Sequence, residues 1–189
     1  MSEFCSEAVS KELLEGYFSK HGMLLCNESK DMPSLSSVGG DWSSIVGLIE
    51  EGKVFHSRFY KGRVTYLSRE FYGQIKHYRQ RENRLSKEAQ SIYSLLNEIG
   101  LANTEEIKRL LNLSGKVFSG ALQELGKELL VTAIKRDRTM NQNWSSFAWG
   151  PWSFWESLHP ITDIPVSVER AEELLKGLVS EREIKQFLK

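Results

Sequence analysis

The sequence predicts a mainly helical α+β fold in which two groups of helices each end in a β-hairpin. Three observations support it: apolar residues at helical spacing, paired β-rich runs, and turn residues between the runs. The predicted helices span residues 7–20, 42–51, 69–81, 86–98, 103–111, 115–127, 168–178 and 180–188. With 189 residues, 40% hydrophobic and 26% charged, the composition is that of a globular chain and not of a disordered or fibrous one.

The second half of the chain carries the clearer pattern. Ser86 and Asn103 are typical helix N-cap residues, and a tight turn separates the helices predicted on either side of residues 112–114. Strands follow at 129–135 and 144–149, with a polar loop at 136–143 between them. Three helices followed by a hairpin with a polar tip are typical of a winged helix, a helix-turn-helix with a β-hairpin wing.

The first half ends in the same way, with a hairpin of residues 54–60 and 63–68 around a two-residue turn. Pairing across that turn puts Tyr60 opposite Arg63 and Arg58 opposite Thr65. One face of the hairpin is then mainly aromatic and the other mainly basic. The basic face carries His56, Arg58, Tyr60, Arg63 and Thr65.

Three segments follow from these patterns. We expect a winged-helix-like unit over residues 1–82, a winged-helix domain over 83–152 and a C-terminal helical extension over 153–189. The fold class is therefore α+β, mainly helical, with tandem winged-helix units and a helical tail.

The charge is balanced overall but unevenly spread. The chain has 25 basic and 25 acidic side chains, yet residues 53–84 hold nine basic and two acidic ones, while residues 1–52 are net −6. Counterion release rewards a local cationic surface, and screening over roughly 10 Å limits what a distant acidic segment cancels. The cationic block is compatible with binding duplex DNA, with the acidic first helix facing away from it. The alternative is a solvated charged face.

In a helix-turn-helix unit the second helix enters the major groove, and a wing tracks the backbone or minor groove. Here these elements are the helix 115–127 and the loop 136–143. Together with the first hairpin and the helix after it, they give the candidate DNA contacts: His56, Arg58, Tyr60, Arg63, Arg69, Lys76, Arg79, Lys116, Ser119, Gln123, Arg136, Arg138 and Asn141. Glu124 on the same helix face favours the alternative, a winged helix used for protein contacts.

Four of the five tryptophans lie within residues 144–155. Such aromatics could stack on bases. Core packing is the favoured interpretation, because Phe147 and Trp149 alternate onto one strand face suited to burial.

Catalytic and targeting patterns are scarce. The sequence has no phosphate-binding glycine loop, no HExxH and no GxSxG, and its histidines show no ligand spacing. We therefore predict no cofactor and no metal. Whether the protein is an enzyme stays open, and the absence of catalytic activity is the favoured interpretation.

The localisation follows from a second set of patterns. Residues 1–18 lack a signal-peptide pattern, no apolar run suits a membrane helix, and Cys5 and Cys26 form no CxxC pair. We expect a cytoplasmic protein with no membrane contact, and a protein partner or homodimer stays open.

Runs at 51–55, 63–68, 129–132 and 144–149 resemble the AlkZ-related proteins, short relatives of the AlkZ DNA glycosylases built from tandem winged helices. The resemblance covers about residues 40–155 and implies DNA binding and a link to DNA repair. The glycosylases activate water with a Gln-x-Gln or Gln-x-Asp motif. Here only Gln80-Arg81-Glu82 has a similar form, and it lies in a predicted linker, so no catalytic role is carried over.

Three functions remain open. The first is a non-catalytic winged-helix protein that binds double-stranded DNA in repair or transcription regulation. The second is a DNA glycosylase acting on damaged DNA. The third is a winged-helix protein-interaction module.

Overall fold

The structure, a computed structural model, describes residues 2–80, 82, 85–141 and 144–189, with backbone only for residues 2–7, 140, 141 and 144. The described residues form these elements: α1 (Ser2–Phe18), β1 (Met23–Leu25), α2 (Trp42–Glu50), β2 (Val54–Ser57), β3 (Thr65–Ser68), α3 (Arg69–Ile75), α4 (Lys87–Ile99), β4 (Ala102–Asn103), α5 (Thr104–Leu110), α6 (Gly115–Lys127), β5 (Val131–Asn141), β6 (Trp144–Pro151), α7 (Trp152–Leu158), α8 (Val168–Leu175) and α9 (Glu181–Phe187). Short 3₁₀ helices lie at Ser36–Val38 and Lys76–Tyr78.

Side-chain caps set the starts of the helices. The Asp41 carboxylate accepts a hydrogen bond from the Ser44 amide at 2.8 Å, as its position before α2 predicts. Asn103 and Glu106 form a reciprocal capping box at the start of α5. Serine hydroxyls accept amide hydrogen bonds at five further helix starts, from Ser68, Ser86, Ser114, Ser167 and Ser180. Local sequence therefore fixes where most of these helices begin.

The described residues contain two three-stranded antiparallel sheets with the same strand order. The order is β1-β3-β2 in the first sheet and β4-β6-β5 in the second. In each half a helix and a short strand come first, a helical segment and a helix follow, and a pair of strands closes the sheet. Neither short strand was predicted, because three or two residues are too few to show an alternating pattern.

The first hairpin differs in register from the prediction. β2 and β3 pair Phe55 with Leu67, His56 with Tyr66 and Ser57 with Thr65, one residue away from the predicted pairing. A shift of one residue moves the side chains of one strand to the opposite face relative to those of its partner. The prediction that the basic side chains share one outer face of the hairpin is therefore wrong.

The cause of the shifted register lies in the residues between the end of β2 and the turn. The turn is as predicted: Lys61 and Gly62 both have positive φ (50° and 72°), and the Arg63 amide donates to the Tyr60 carbonyl at 2.9 Å. The Ser57 hydroxyl accepts a hydrogen bond from the Phe59 amide at 3.3 Å. Between Ser57 and the turn the first strand holds one residue more than its partner, which shifts the register of the strand body.

The second hairpin is longer than predicted. β5 continues to Asn141, so the predicted loop is a strand over residues 136–141, and residues 142–143 lie outside the described ranges. The pairing with β6 shifts register between Ala133 and Lys135, and twice more toward the tip. Strands that pair irregularly outside the core do not need alternating apolar residues. For this reason residues 136–143 were predicted to be a loop.

Two helices also depart from the prediction. α3 ends at Ile75 and continues as the 3₁₀ turn, shorter than the predicted helix over 69–81. α7 was not predicted and follows directly on β6. Of the predicted linker after this region, residues 81, 83 and 84 lie outside the described ranges.

Apolar cores extend across the predicted segment boundaries. One cluster joins Phe55 in β2 with Leu129, with Trp155 in α7 and with Leu174 in α8. Another places Phe147 of β6 beside the buried face of α2. Within the described ranges, none of the helices is both long and apolar enough to cross a membrane.

Candidate nucleic-acid interface

His56, predicted on the outer face, is buried where the two sheets meet. Its ring lies 5.9 Å from Tyr66, 5.8 Å from Phe147 and 5.4 Å from Trp149, measured between centroids. Its backbone amide donates to the Thr132 hydroxyl at 3.0 Å, and that hydroxyl donates back to the His56 carbonyl at 3.0 Å. This side chain joins the two halves and does not face solvent.

Burial also fixes the protonation state of this histidine. Loss of hydration, together with the nearby Arg58 charge, lowers the pKa of His56 to about 3. The ring is therefore neutral at physiological pH and supplies no positive charge.

Tyr60 is buried as well, against the C-terminal helix. Its ring lies 6.4 Å from that of Phe187 in α9, and the Lys61 ammonium lies 4.7 Å from the Tyr60 centroid. The prediction of an exposed Tyr60 is wrong, because α9 covers this part of the hairpin.

The two arginines of the hairpin are partly buried. The Arg58 amide donates to the Gly126 carbonyl of α6 at 3.1 Å, and burial lowers the pKa of its guanidinium. A Cβ on Gly126 would lie 3.0 Å from the Arg58 Cγ, so the chain packs closely there. The Arg63 guanidinium donates to the Glu28 carbonyl at 2.8 Å.

The predicted contacts on the next helix have partners within the chain. The Arg69 guanidinium lies 3.3 Å from the Asp163 carboxylate and also donates to the Pro160 carbonyl. The Arg79 guanidinium lies over the Phe59 ring, 5.1 Å from its centroid.

Lys76 belongs to a buried polar network. Its ammonium lies 3.0 Å from the Glu156 carboxylate, and these side chains are only 16% and 18% exposed. The Tyr72 hydroxyl donates to the same carboxylate at 2.8 Å and accepts a hydrogen bond from the Gln80 amide at 3.2 Å. Burial raises the pKa of Tyr72, so the phenol stays protonated. Gln80 therefore belongs to this network through its hydrogen bond to Tyr72.

Two exposed lysines of the cationic block have acidic partners too. The contacts are Lys53 with Glu15 (2.7 Å) and Glu51 (2.9 Å), and Lys61 with Glu183 (3.3 Å) and Asp31 (3.9 Å). Exposed pairs of this kind contribute little stability, about 0–1 kcal/mol each. They nevertheless place carboxylates of the N- and C-terminal segments beside the cationic block, so much of its charge is compensated locally. Arg81 and Arg84 lie outside the described residues.

The outer face of α6 is open in its first half and covered in its second. Lys116 and Ser119 are exposed, as predicted. Gln123 instead donates to the Gly62 carbonyl at 3.2 Å, so the turn of the first hairpin covers it. A Cβ on Gly62 would lie 2.7 Å from the Gln123 amide nitrogen and 2.9 Å from the Lys127 side chain.

Glu124, the acidic residue of the same helix, is engaged elsewhere. Its carboxylate accepts hydrogen bonds from the Ser86 hydroxyl at 2.6 Å and the Ser86 amide at 3.1 Å. It stabilises the start of α4, so it is not a free negative charge on the outer face.

The second hairpin carries exposed cations. Arg138 is exposed, Arg136 is partly exposed with its amide bonded to the Glu50 carboxylate at 2.8 Å, and the Asn141 side chain lies outside the described set. Sequence reasoning missed Lys135 and Arg109, which are exposed and form no ion pair within the described part of the chain. Lys135 sits in an otherwise apolar run, a signal for a side chain that points outward.

The tryptophan-rich segment packs inside, as favoured from the sequence. Trp155 is fully buried, with its ring 5.3 Å from Phe55 and 5.2 Å from Tyr72. The indole of Trp152 donates to the Tyr93 hydroxyl at 3.0 Å. The core interpretation is confirmed for Trp155, and the Trp144 side chain lies outside the described set.

This is a mixed α/β protein whose two halves repeat one order of helices and strands, and in the described part of the second half Lys116 and Arg138 are exposed cations without an ion pair. A family model described as AlkZ related matches residues 14–188. The chain therefore belongs to the AlkZ-related family, which confirms the resemblance and extends it over nearly the entire length. No curated protein and no solved structure matches the chain.

Proposed function

We propose that the chain is a non-catalytic protein that binds double-stranded DNA through its second half. In this proposal both halves are winged-helix units, and residues 85–151 carry the contacts. The observation behind it is the exposed surface of α6 and the β5–β6 hairpin, the positions of a recognition helix and a wing. Membership of the AlkZ-related family supports a link to DNA repair.

The side chains on this surface suit a phosphate backbone. Lys116 and Arg138 are exposed and form no ion pair within the described ranges. Gly115 and Gly120 have open space beside them, with no atom within 4 Å of the Cβ position. A small, weakly cationic helix face lets a DNA backbone come close and be held by lysine, arginine and serine contacts. The first hairpin contributes little, because most of its charges have partners within the chain.

Base excision is not part of the proposal. The sequence has no Gln-x-Gln or Gln-x-Asp triplet, and the nearest form begins at Gln80, whose amide is bonded to Tyr72. A catalytic glutamine has to be free to hold a water molecule at the lesion.

One observation favours the protein-interaction alternative. Leu110 and Val117 are exposed on α5 and α6. Exposed apolar side chains beside the turn between these helices are typical of a surface that contacts a protein partner. Direct binding measurements separate the two functions.

We expect the 189-residue chain to bind a fluorescent duplex of about 30 base pairs at about 50 mM salt, with a dissociation constant in the micromolar range or tighter. Weak, salt-sensitive affinity is expected because backbone contacts dominate non-specific binding. Fluorescence anisotropy measures it. Incubation with alkylated duplex, followed by cleavage at abasic sites, tests for excision and should give no strand breaks above background. Absence of binding at low salt contradicts the proposal, and abasic-site formation identifies a glycosylase instead.

A further inference from the structure

The outer face of α1 carries an uncovered apolar strip. Val9 is 52% exposed and Leu13 is 49% exposed, and Gly16 has no atom within 4 Å of its Cβ position. Their spacing of four and three residues places them on one side of the helix. The strip lines a shallow groove of about 650 Å³ that extends to His21 and Val38. Large exposed apolar side chains at helical spacing are typical of a docking surface.

Charged residues on the same face are arranged symmetrically. Glu12 of α1 and Lys20, in the turn just after α1 ends at Phe18, lie four residues before and four residues after Gly16, and both line the groove. Both are exposed and have no ion pair within the described ranges. By contrast, Lys11 and Glu15 turn toward the body of the protein, where they pair with Glu51 and Lys53. The outer pair is therefore available to a partner.

We propose that this face binds a second copy of the chain, with the two α1 helices crossing antiparallel near Gly16. A two-fold axis at that residue places Glu12 of each copy beside Lys20 of the other. The missing side chain at Gly16 lets the helix backbones approach, and Leu13 packs across the axis.

Charge complementarity selects this occupant. Glu12 and Lys20 lie equally far along the sequence from Gly16. In an antiparallel pair of copies each Glu12 therefore meets the Lys20 of the other copy, and two ion pairs form. Duplex DNA does not fit, since residues 1–52 are net −6.

The interface is modest in size. The crossing point near Gly16 is close to the end of α1 at Phe18, so the contact is smaller than in obligate dimers. We therefore expect a dimer that forms at micromolar concentration. The inference does not rest on the proposed function, because α1 belongs to the first half of the chain.

Sedimentation equilibrium of the 189-residue chain from 1 to 500 µM tests the dimer. The mass should rise from the 21.7 kDa of one chain toward twice that value. Leu13→Glu should raise the dissociation constant at least tenfold, because it places a carboxylate on each side of the axis. Glu12→Lys should weaken the dimer similarly, and the double variant Glu12→Lys/Lys20→Glu should restore it.

Leu158→Glu is the matched control, since Leu158 is 50% exposed on α7. It should leave the mass unchanged, and circular dichroism should confirm that all variants fold. A monomer at every concentration overturns the proposal. So does a dimer that persists in Leu13→Glu and Glu12→Lys, because its interface then lies elsewhere.

Discussion

Replacing Trp155 with alanine is expected to lower the free energy of unfolding by about 3 to 5 kcal/mol. The indole is fully buried and packs edge-on against the Phe55 and Tyr72 rings. Its cluster includes Leu129 and Leu174, so the cavity would open where both halves and the C-terminal segment meet. Neighbours held by three segments relax little around a cavity, which places the effect in the upper part of the usual range.

Urea denaturation followed by circular dichroism measures the loss. Leu158→Ala is the control, because it truncates an exposed apolar side chain on the same helix. That change should alter stability by no more than about 0.5 kcal/mol. A loss below about 1 kcal/mol for Trp155→Ala would contradict the packing of this segment as core.

Acid is expected to destabilise the fold through His56. The unfolded chain protonates this histidine below pH 6.5, whereas burial delays protonation of the native chain until about pH 3. Its contribution is complete above pH 6.5, where both states are neutral, and is lost progressively as the pH falls from 6.5 toward 3. At pH 4.5, two pH units below the onset, the loss is on the order of 2–3 kcal/mol.

His56→Leu should remove this part of the acid sensitivity, because leucine fits an apolar pocket and does not titrate. The measured quantity is the difference in unfolding free energy between pH 7 and pH 4.5. His77→Leu is the control, since His77 is exposed and should leave that difference unchanged. Carboxylates titrate in all three proteins and cancel in the comparison. Equal acid losses in wild type and His56→Leu would mean that this histidine is accessible to protons in the native state.

Local features could be predicted from the sequence, because they depend on neighbouring residues. Ser86 and Asn103 were recognised as caps, since a short polar side chain before an amphipathic run satisfies the first free amides. The turn at Lys61 and Gly62 was recognised for a similar reason. The register beyond it could not be predicted, because it depends on one extra residue held by the Ser57 hydroxyl.

The candidate site also contains features set by neighbouring residues, which could be predicted, and features set by distant residues, which could not. Lys116 and Ser119 were placed correctly on the outer face of α6, since helical periodicity alone decides it. The partners of the cationic block could not be predicted, because they come from distant parts of the chain. Glu183 reaches Lys61 and Glu156 reaches Lys76 only after the C-terminal segment has folded back onto the first half. A charge count by segment therefore overstated the positive field of the first hairpin.

The salt dependence of DNA affinity tests the central claim, that the second half supplies the DNA contacts. We predict that Lys116→Ala/Arg138→Ala reduces the slope of log Kobs against log salt by about 1.8, as expected for two lost phosphate contacts. Lys53→Ala/Lys61→Ala removes the same charge from the first half, where both lysines are exposed and paired. That variant should keep the wild-type slope. An unchanged slope in the first variant and a reduced slope in the second would contradict the account and return the DNA contacts to the first hairpin.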